Sequence, residues 1–349
     1  MNKNSLIERI LIVGLGNMGS KHLDIIRKSL PRSQIFLFSD RLNNNFTLPN
    51  LADGLLCNLD EVINFSPQII VVANAASNHL KIIKKLTKLN SHFLVEKPIT
   101  HNLKNANEVF ENIEIQERVF HVGYNLRFLD ALIKFKEIIK TDKLGSVFSI
   151  RAEVGQYLPD WRSGFDYRKS VSAQKKLGGG VLLELSHEID YLLWIFGNVR
   201  SISAFVNKAS NLDIDVEDQA ILKLKFDNLC SQKNEVVATL HMDFFRRDTS
   251  RSCTVIGSKG TLRIDVISGE ISFFDSNLSQ WEVIYQSSNT IQETYLAQWD
   301  SFINCIKDNR QPKVSIGDAL KVISIIEGAK KSNIEGCKFV PFCGDLYLS

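Results

Sequence analysis

The chain has 349 residues, which at about 150 residues per domain predicts two domains, with 44% hydrophobic and 23% charged residues. That composition excludes a disordered or fibrous chain, and 42 basic against 39 acidic residues, a net +3, is too balanced for a protein that must neutralise many duplex phosphates. No run of about 18 apolar residues occurs, and Met1 to Arg9 carries Lys3, Glu8 and Arg9 around a short apolar pair, so neither a membrane span nor a secretory leader is expected. The six cysteines, at 57, 230, 253, 305, 337 and 343, form no C-x-x-C, which argues against a zinc ribbon and for a reduced, cytoplasmic setting.

In chain order, the first 124 residues alternate β-rich runs with helical patterns, as a parallel sheet covered on both faces requires. Arg9–Val13 reads as a strand, Ser20–Ser29 as a helix closed by Pro31, and Gln34–Ser39 as the next strand. Short Val/Ile/Phe-rich runs at Gln68–Ala73, His92–Val95 and Val119–Tyr124 read as buried strands. Helical spacing fills Asn78–Leu89 and Asn102–Glu111, and Lys81, Lys84, Lys85 and Lys88 form a solvated helix face.

Beyond Tyr124 the texture changes. A helix over Leu129–Lys140 is followed by a strand at Val147–Val154, an irregular stretch over Gly155–Lys176, and one helix over Val181–Phe196. Alternation at Asp218–Phe226, Val236–Phe244, Cys253–Ile256 and Thr261–Val266 predicts antiparallel strands in one open sheet. Helices over Tyr295–Lys307 and Ile316–Lys331 close the chain. The expected fold class is α/β: a doubly wound parallel sheet over residues 1–124, then an α+β substrate-binding and oligomerisation domain with a large, mostly antiparallel sheet over 125–349.

Gly14-Leu15-Gly16-Asn17-Met18-Gly19 follows the first strand and opens a helix, the setting of a Rossmann dinucleotide turn. Its first glycine permits the turn, its second lets backbone approach a pyrophosphate, and its third lets helix and strand pack closely. Asp40 lies 21 residues after Gly19, at the end of the second strand, where a carboxylate can accept from both ribose hydroxyls. NAD is therefore the expected coenzyme. Arg41 is the residue type that would receive a 2′-phosphate, which leaves NADP open.

Glu96-Lys97-Pro98 ends a strand at the carboxyl edge of this sheet, where doubly wound folds bind ligands. A lysine on a proline-stiffened mount in a partly dry cleft can trade a proton with a substrate alcohol, although a surface lysine after a strand is the blander reading. These two motifs, the Asn74 to His79 loop, Gly123-Tyr124-Asn125-x-Arg127-Phe128, and Gly178-Gly179-Gly180 with His187 and Asp190 together resemble the Gfo/Idh/MocA family of NAD(P)-dependent oxidoreductases. The resemblance spans nearly the whole chain. It implies that Lys97 and His187 flank the carbon that exchanges hydride, and that Asn74, His79, Glu96 and Lys97 join the glycine turn in holding coenzyme. It also implies substrate contacts from Tyr124, Asn125 and Arg127, and Glu184, His187 and Asp190 are expected at substrate with them. Many family members have an aspartate four residues before the histidine; here Leu183 holds that place and Glu184 lies three before His187.

On a continuous helix Gly180, Glu184, His187, Tyr191 and Trp194 would share one stripe, with Leu182, Leu185, Ile189, Leu192 and Phe196 on another. A lone helical histidine is more often a structural hydrogen-bonder, but Glu184 and Asp190 could orient its ring. Glu184-x-x-His187 is half of a di-iron pair without a second copy, so no metal is expected. The Gly155–Lys176 stretch holds Tyr157, Trp161, Phe165 and Tyr167 with five basic and two acidic residues. Aromatic faces suit sugar rings and cations suit an anionic group, so a carbohydrate with a phosphate or carboxylate, such as a nucleotide-linked sugar, is expected, with Tyr157, Trp161 and Arg162 touching it. Packing on a partner subunit is the alternative role of this stretch, and a face-to-face homodimer or homotetramer is expected from the open sheet. Beside a sugar dehydrogenase, a redox-neutral enzyme using transient oxidation and a non-catalytic dinucleotide sensor stay open.

Overall fold

The computed structural model describes residues 7–39, 47–104, 106, 108–110, 118–226 and 235–342. They divide into two units, Met1–Tyr124 with Tyr295–Ala319, and Asn125–Thr294 with Leu320–Ser349.

Among the described residues, the first unit holds a six-stranded parallel sheet of β1 (Arg9–Val13), β2 (Gln34–Phe38), β3 (Gly54–Leu56), β4 (Ile69–Val72), β5 (His92–Val95) and β6 (Phe120–Val122) in the order β3-β2-β1-β4-β5-β6. The chain runs outward from β1 and returns past it to β4, which makes the β1/β4 carboxyl edge the switch point where such sheets take ligands. Ile10, Leu11, Ile12 and the whole of β4 are enclosed because helices cover both faces, which is why these strands read as continuous apolar runs.

Three features of this unit differ from expectation. The first helix begins at Asn17, one turn before Ser20, because the glycine turn itself supplies its N-terminus. The short β3 and the Leu59–Phe65 helix carry too few residues for a periodicity signal. Their legible mark is the capping box of Asn58 and Glu61: Glu61 N–H donates to Asn58 Oδ1 at 2.9 Å, and Cys57 N–H to the Glu61 carboxylate at 2.6 Å. The third difference is the Thr294–Asp308 helix, whose Trp299, Phe302 and Ile303 share a core cluster with Ile10, Ile12, Leu23 and Ile69. A helical period says which face is buried, not which sheet it is buried against. Of Asn102–Glu111, the described residues 106 and 108–110 are helical.

In the second unit the described strands form one nine-stranded sheet. They are β7 (Val147–Gly155), β8 (Val199–Asn207), β9 (Gln219–Phe226), β10 (Val236–Asp243), β11 (Ser250–Gly257), β12 (Gly260–Asp265), β13 (Glu270–Asp275), β14 (Gln280–Gln286) and β15 (Val340–Pro341), in the order β14-β13-β12-β11-β7-β10-β9-β8-β15. Pairing is antiparallel except at its centre, where β7 and β10 run parallel. Alternation separates a buried face (Ile150, Ala152, Leu222, Leu240, Val255, Ile264) from an open one (Arg151, Lys223, His241, Arg263). Phe205, Trp281 and Val283 stand exposed on that open face.

The expected single helix over Val181–Phe196 is two helices, Val181–Glu184 and His187–Phe196, interrupted at Leu185–Ser186. Apolar spacing continues through the interruption, so the pattern could not report it. The stretch after β7 folds as three 3₁₀ turns, Leu158–Trp161, Tyr167–Lys169 and Lys175–Leu177. No described helix is long and apolar enough to cross a membrane.

Candidate active site

In the first unit each glycine of the turn has its own physical reason. Gly14 takes φ +99° and donates its N–H to Phe38 O at 3.1 Å, and a Cβ there would meet Asn74 N at 2.6 Å. A Cβ on Gly19 would lie 2.0 Å from Gly14 O, so the helix can lie this close to the turn only without a side chain. A Cβ on Gly16 would stand in open space, with nothing within 4 Å. Gly16 is the N-cap of the 13-residue Asn17–Ser29 helix, its side-chain cap is missing, and no acidic residue sits in the first turn. The first intrahelical bond is Ser20 N–H to Gly16 O, which leaves the N–H groups of Asn17, Met18 and Gly19 ahead of it. This donor set at the positive end of the helix, beside open space at a glycine, fits a dinucleotide pyrophosphate. Asp40 and Arg41, expected at the adenosine ribose, lie outside the described residues.

The loops after β4 and β5 are stitched by buried histidines. His79 is 1% exposed, with Nδ1 3.0 Å from Pro98 O and Nε2 2.9 Å from Asn74 O. Burial pushes its pKa below the ordinary imidazole value, outweighing the carbonyls and the Glu96 carboxylate that favour the charged ring. Expected as a coenzyme contact, its ring lies between the Asn74 and Pro98 carbonyls, and a neutral imidazole donates to one of the two. Asn74, half-buried, points its Oδ1 to no hydrogen-bond partner among the described residues. Glu96 is 6% exposed, and its carboxylate accepts from His22 Nε2 at 2.7 Å and from the Lys97 N–H at 3.2 Å. Lys97 itself is half-buried directly after β5, at the same carboxyl edge as the glycine turn after β1.

His22 was not singled out in the sequence, although its place on the buried stripe with Gly19, Leu23 and Ile26 was a readable signal. Beside it, the Lys21 ammonium lies 3.9 Å from the centre of the Tyr295 ring; burial lowers its pKa, against the opposing pull of Glu96.

In the second unit, Asn125–Phe128 forms a buried 3₁₀ turn directly after Tyr124, itself fully enclosed as the last residue of the first unit's opening segment. Asn125 Nδ2 donates to Thr294 Oγ1 at 2.6 Å. Arg127 and Asp190, both expected at substrate, meet in a bidentate pair, with Nε to Oδ2 at 2.9 Å and Nη2 to Oδ1 at 2.7 Å, at 4% and 1% exposure. Residue type alone could not distinguish this internal pairing from ligand contact, since the partners are 63 residues apart.

The triple glycine forms the turn before His187. Gly178 and Gly180 take φ +85° and +109°, and a Cβ on Gly179 would strike Val171 O at 2.3 Å. The Glu217 carboxylate fills the space beside Gly180, 2.4 Å from where a Cβ would be, and burial raises its pKa. His187, 8% exposed, begins its helix. Glu184 falls on the other side of the helix interruption, so the single stripe it was expected to share with His187, Tyr191 and Trp194 does not exist; its Oε2 accepts from Ser172 Oγ at 2.9 Å. Glu188, fully enclosed next to His187, pairs with Arg251 at 2.8 Å. No described group of His, Cys, Asp and Glu could hold a metal ion.

The stretch after β7 is partly self-satisfied. Trp161 packs edge-on to Phe244 and donates Nε1 to Gln156 O at 3.2 Å, while Arg247 stacks 3.5 Å from the Tyr157 ring. Arg168 is engaged by Asp166. Arg162, Lys169, Lys175 and Lys176 are exposed, and Trp161, Arg162, Phe165 and Tyr167 line a small cavity with Ser172.

Comparison with known proteins covers both units. The sequence profile of the oxidoreductase family, NAD-binding Rossmann fold, matches residues 8–124, and that of its C-terminal alpha/beta domain matches residues 136–340; both carry the Gfo/Idh/MocA designation. Myo-inositol 2-dehydrogenase of Thermotoga maritima is 22% identical over 340 residues, 93% of this chain and 96% of that protein. An uncharacterized oxidoreductase of Schizosaccharomyces pombe, C115.03, is 27% identical over 173 residues, so the match spans 49% of this chain and 45% of that relative. Among solved structures, levoglucosan dehydrogenase in complex with NADH and levoglucosan superposes with a TM-score of 0.81 at 15% identity, over 97% of this chain and 99% of that one, a likeness of fold.

Proposed function

Because the chain belongs to the Gfo/Idh/MocA oxidoreductase family and is an NAD(P)-dependent dehydrogenase, we propose that it oxidises a ring secondary alcohol of a carbohydrate or cyclitol, or reduces the corresponding ketone. The observation that carries this reading is the placement, within one unit, of an open glycine cradle after β1 and a stiffly mounted, half-buried lysine after β5, both at the carboxyl edge of the sheet. Sugar and cyclitol names among the relatives support it.

When bound, NAD+ supplies the hydride acceptor. Asn17, Met18 and Gly19 hold the pyrophosphate through backbone N–H groups, and the open face of Gly16 admits it. Lys97 holds the substrate hydroxyl and takes its proton on the Nζ lone pair as the C–O bond becomes a carbonyl, general-base help worth about 10² to 10⁴ in rate. His187, presented at the start of a helix that ion pairs hold in place, is the second residue that this proposal assigns to the chemistry.

The finer reading is an anionic or nucleotide-linked sugar, its charge met by the exposed Arg162, Lys169, Lys175 and Lys176. Turnover and thermal-shift measurements with NAD or NADP across neutral cyclitols and pentoses, sugar acids and nucleotide sugars test both levels, since a ligand of the folded state alone raises its melting midpoint. Turnover of an acidic or nucleotide-linked sugar is the expected result. Turnover of neutral sugars alone would remove the anionic reading and keep the dehydrogenase. Coenzyme retained through purification, with sugar conversion and no net NADH, would point to transient oxidation instead; coenzyme binding without any sugar conversion would point to a sensor.

A homodimer or homotetramer assembled through the open sheet face completes the proposal, supported by exposed Phe205, Trp281 and Val283 on it. Sedimentation equilibrium is expected to give two or four chain masses, and a monomer at micromolar concentration would remove the assembly. A cytoplasmic setting, expected from the cysteine spacing, remains part of this reading.

A further inference from the structure

The structure assigns His22 and Glu96 as positioning residues for Lys97: a buried imidazole–carboxylate pair that ties the helix of the glycine cradle to the mount of the lysine. This inference rests on the proposed role of Lys97 as the base.

The pair joins two segments 74 residues apart. His22 is fully enclosed on the inner stripe of the Asn17–Ser29 helix, where apolar Leu23 and Ile26 are its neighbours and an apolar residue would be the default. Its Nε2 lies 2.7 Å from Glu96 Oε1, while its Nδ1 meets no hydrogen-bond partner among the described residues. The ring hydrogen therefore belongs on Nε2, donated to the carboxylate. Glu96 in turn accepts the Lys97 N–H on its other oxygen, at 3.2 Å. Gly123 closes the remaining side: a Cβ there would stand 3.1 Å from Glu96 Oε2, so the carboxylate rests against bare backbone. A carboxylate at 6% exposure is costly unless its bonds are made, and one of the bonds it makes is to the backbone of the lysine.

The pair accounts for a feature that packing does not. A buried His and Glu could be replaced by apolar residues of similar volume with little loss of stability, since burying such a pair is near break-even. What apolar residues could not supply is a bond that fixes the Lys97 backbone against the helix whose N-terminus holds the coenzyme phosphates. One residue beyond Lys97, His79 Nδ1 lies 3.0 Å from Pro98 O, a second buried contact to the mount. Displacement of a reacting group by about 1 Å costs on the order of 10²-fold in rate. Placement of the Nζ atom is thus where the pair acts.

The test compares His22→Leu, His22→Gln and Glu96→Gln with the wild-type holoenzyme, measuring kcat, coenzyme Kd and melting midpoint for each. His22→Leu removes the donor at similar volume, and kcat is expected to fall about 10- to 100-fold with coenzyme Kd within a few-fold of wild type. His22→Gln restores an amide N–H and is expected to recover most of the loss. A merely structural role would lower the melting midpoint without splitting kcat from coenzyme affinity, and glutamine would give no selective rescue of kcat. If His22→Leu does not fold, Glu96→Gln, which keeps the shape and the Lys97 N–H acceptor but weakens the His22 bond, decides: wild-type kcat there overturns the inference. Full kcat in a folded His22→Leu protein, beside an inactive Lys97→Met, would reject the positioning role and keep the base. Full kcat in Lys97→Met would reject the base itself.

Discussion

Lys97→Met is expected to lower kcat by about 10² to 10⁴-fold while leaving coenzyme affinity nearly unchanged. Methionine matches the length of the lysine stem but carries no proton-accepting nitrogen. The mount survives the change, because the Lys97 N–H bond to Glu96, the His22–Glu96 bond and the His79 contact to Pro98 O involve no atom of the Lys97 side chain. The glycine cradle lies after a different strand, β1, and draws on backbone N–H groups only. Steady-state kinetics on the substrate found by turnover screening, with coenzyme binding measured by thermal shift, separates the two quantities. Wild-type kcat in this variant would remove Lys97 from the chemistry; a parallel collapse of coenzyme binding would make it a coenzyme ligand instead.

Arg127→Met carries the largest expected effect on stability, a loss of about 3 to 5 kcal/mol. The guanidinium at 4% exposure and the carboxylate at 1% meet in a bidentate fork, and removing the guanidinium takes from a buried carboxylate its bidentate cationic partner. The change falls on the helix of His187, the second residue of the proposed chemistry, which lies three residues before Asp190. Urea unfolding should show a lower midpoint with an unchanged slope. Replacing both partners, Arg127→Met with Asp190→Leu, should recover most of the stability, because the cost of the single change is a buried charge that has lost its ion-pair partner rather than lost packing. A single-variant loss under about 1 kcal/mol would mean that water or another group reaches Asp190.

These two residues show how far the sequence could be read. The proposal for Lys97 rests on a local signal, a tripeptide at the end of a strand, at the edge where doubly wound sheets bind ligands. The glycine turn was legible for the same reason, each glycine answering to a constraint within a few residues or across one strand. Arg127 and Asp190 were legible as important but not as partners. An arginine and an aspartate in a family pattern suit a ligand as well as each other, and only the fold brings residues 63 apart within 2.7 Å. His79 and Glu96 follow the same rule, as does His22, whose partner is 74 residues away.

Local order was therefore settled by the amino-acid sequence: the strand of each short apolar run, the glycine turn, the alternation of the second sheet, and the family. Tertiary structure decided what local order leaves open. It assigned Thr294–Asp308 to the first core, ran β7 parallel to β10, and interrupted the helix between Glu184 and His187 although the apolar spacing continues through it. The physical reason is that periodicity records which face is buried, whereas the partner of a buried face or a buried charge is chosen by the chain's path through space.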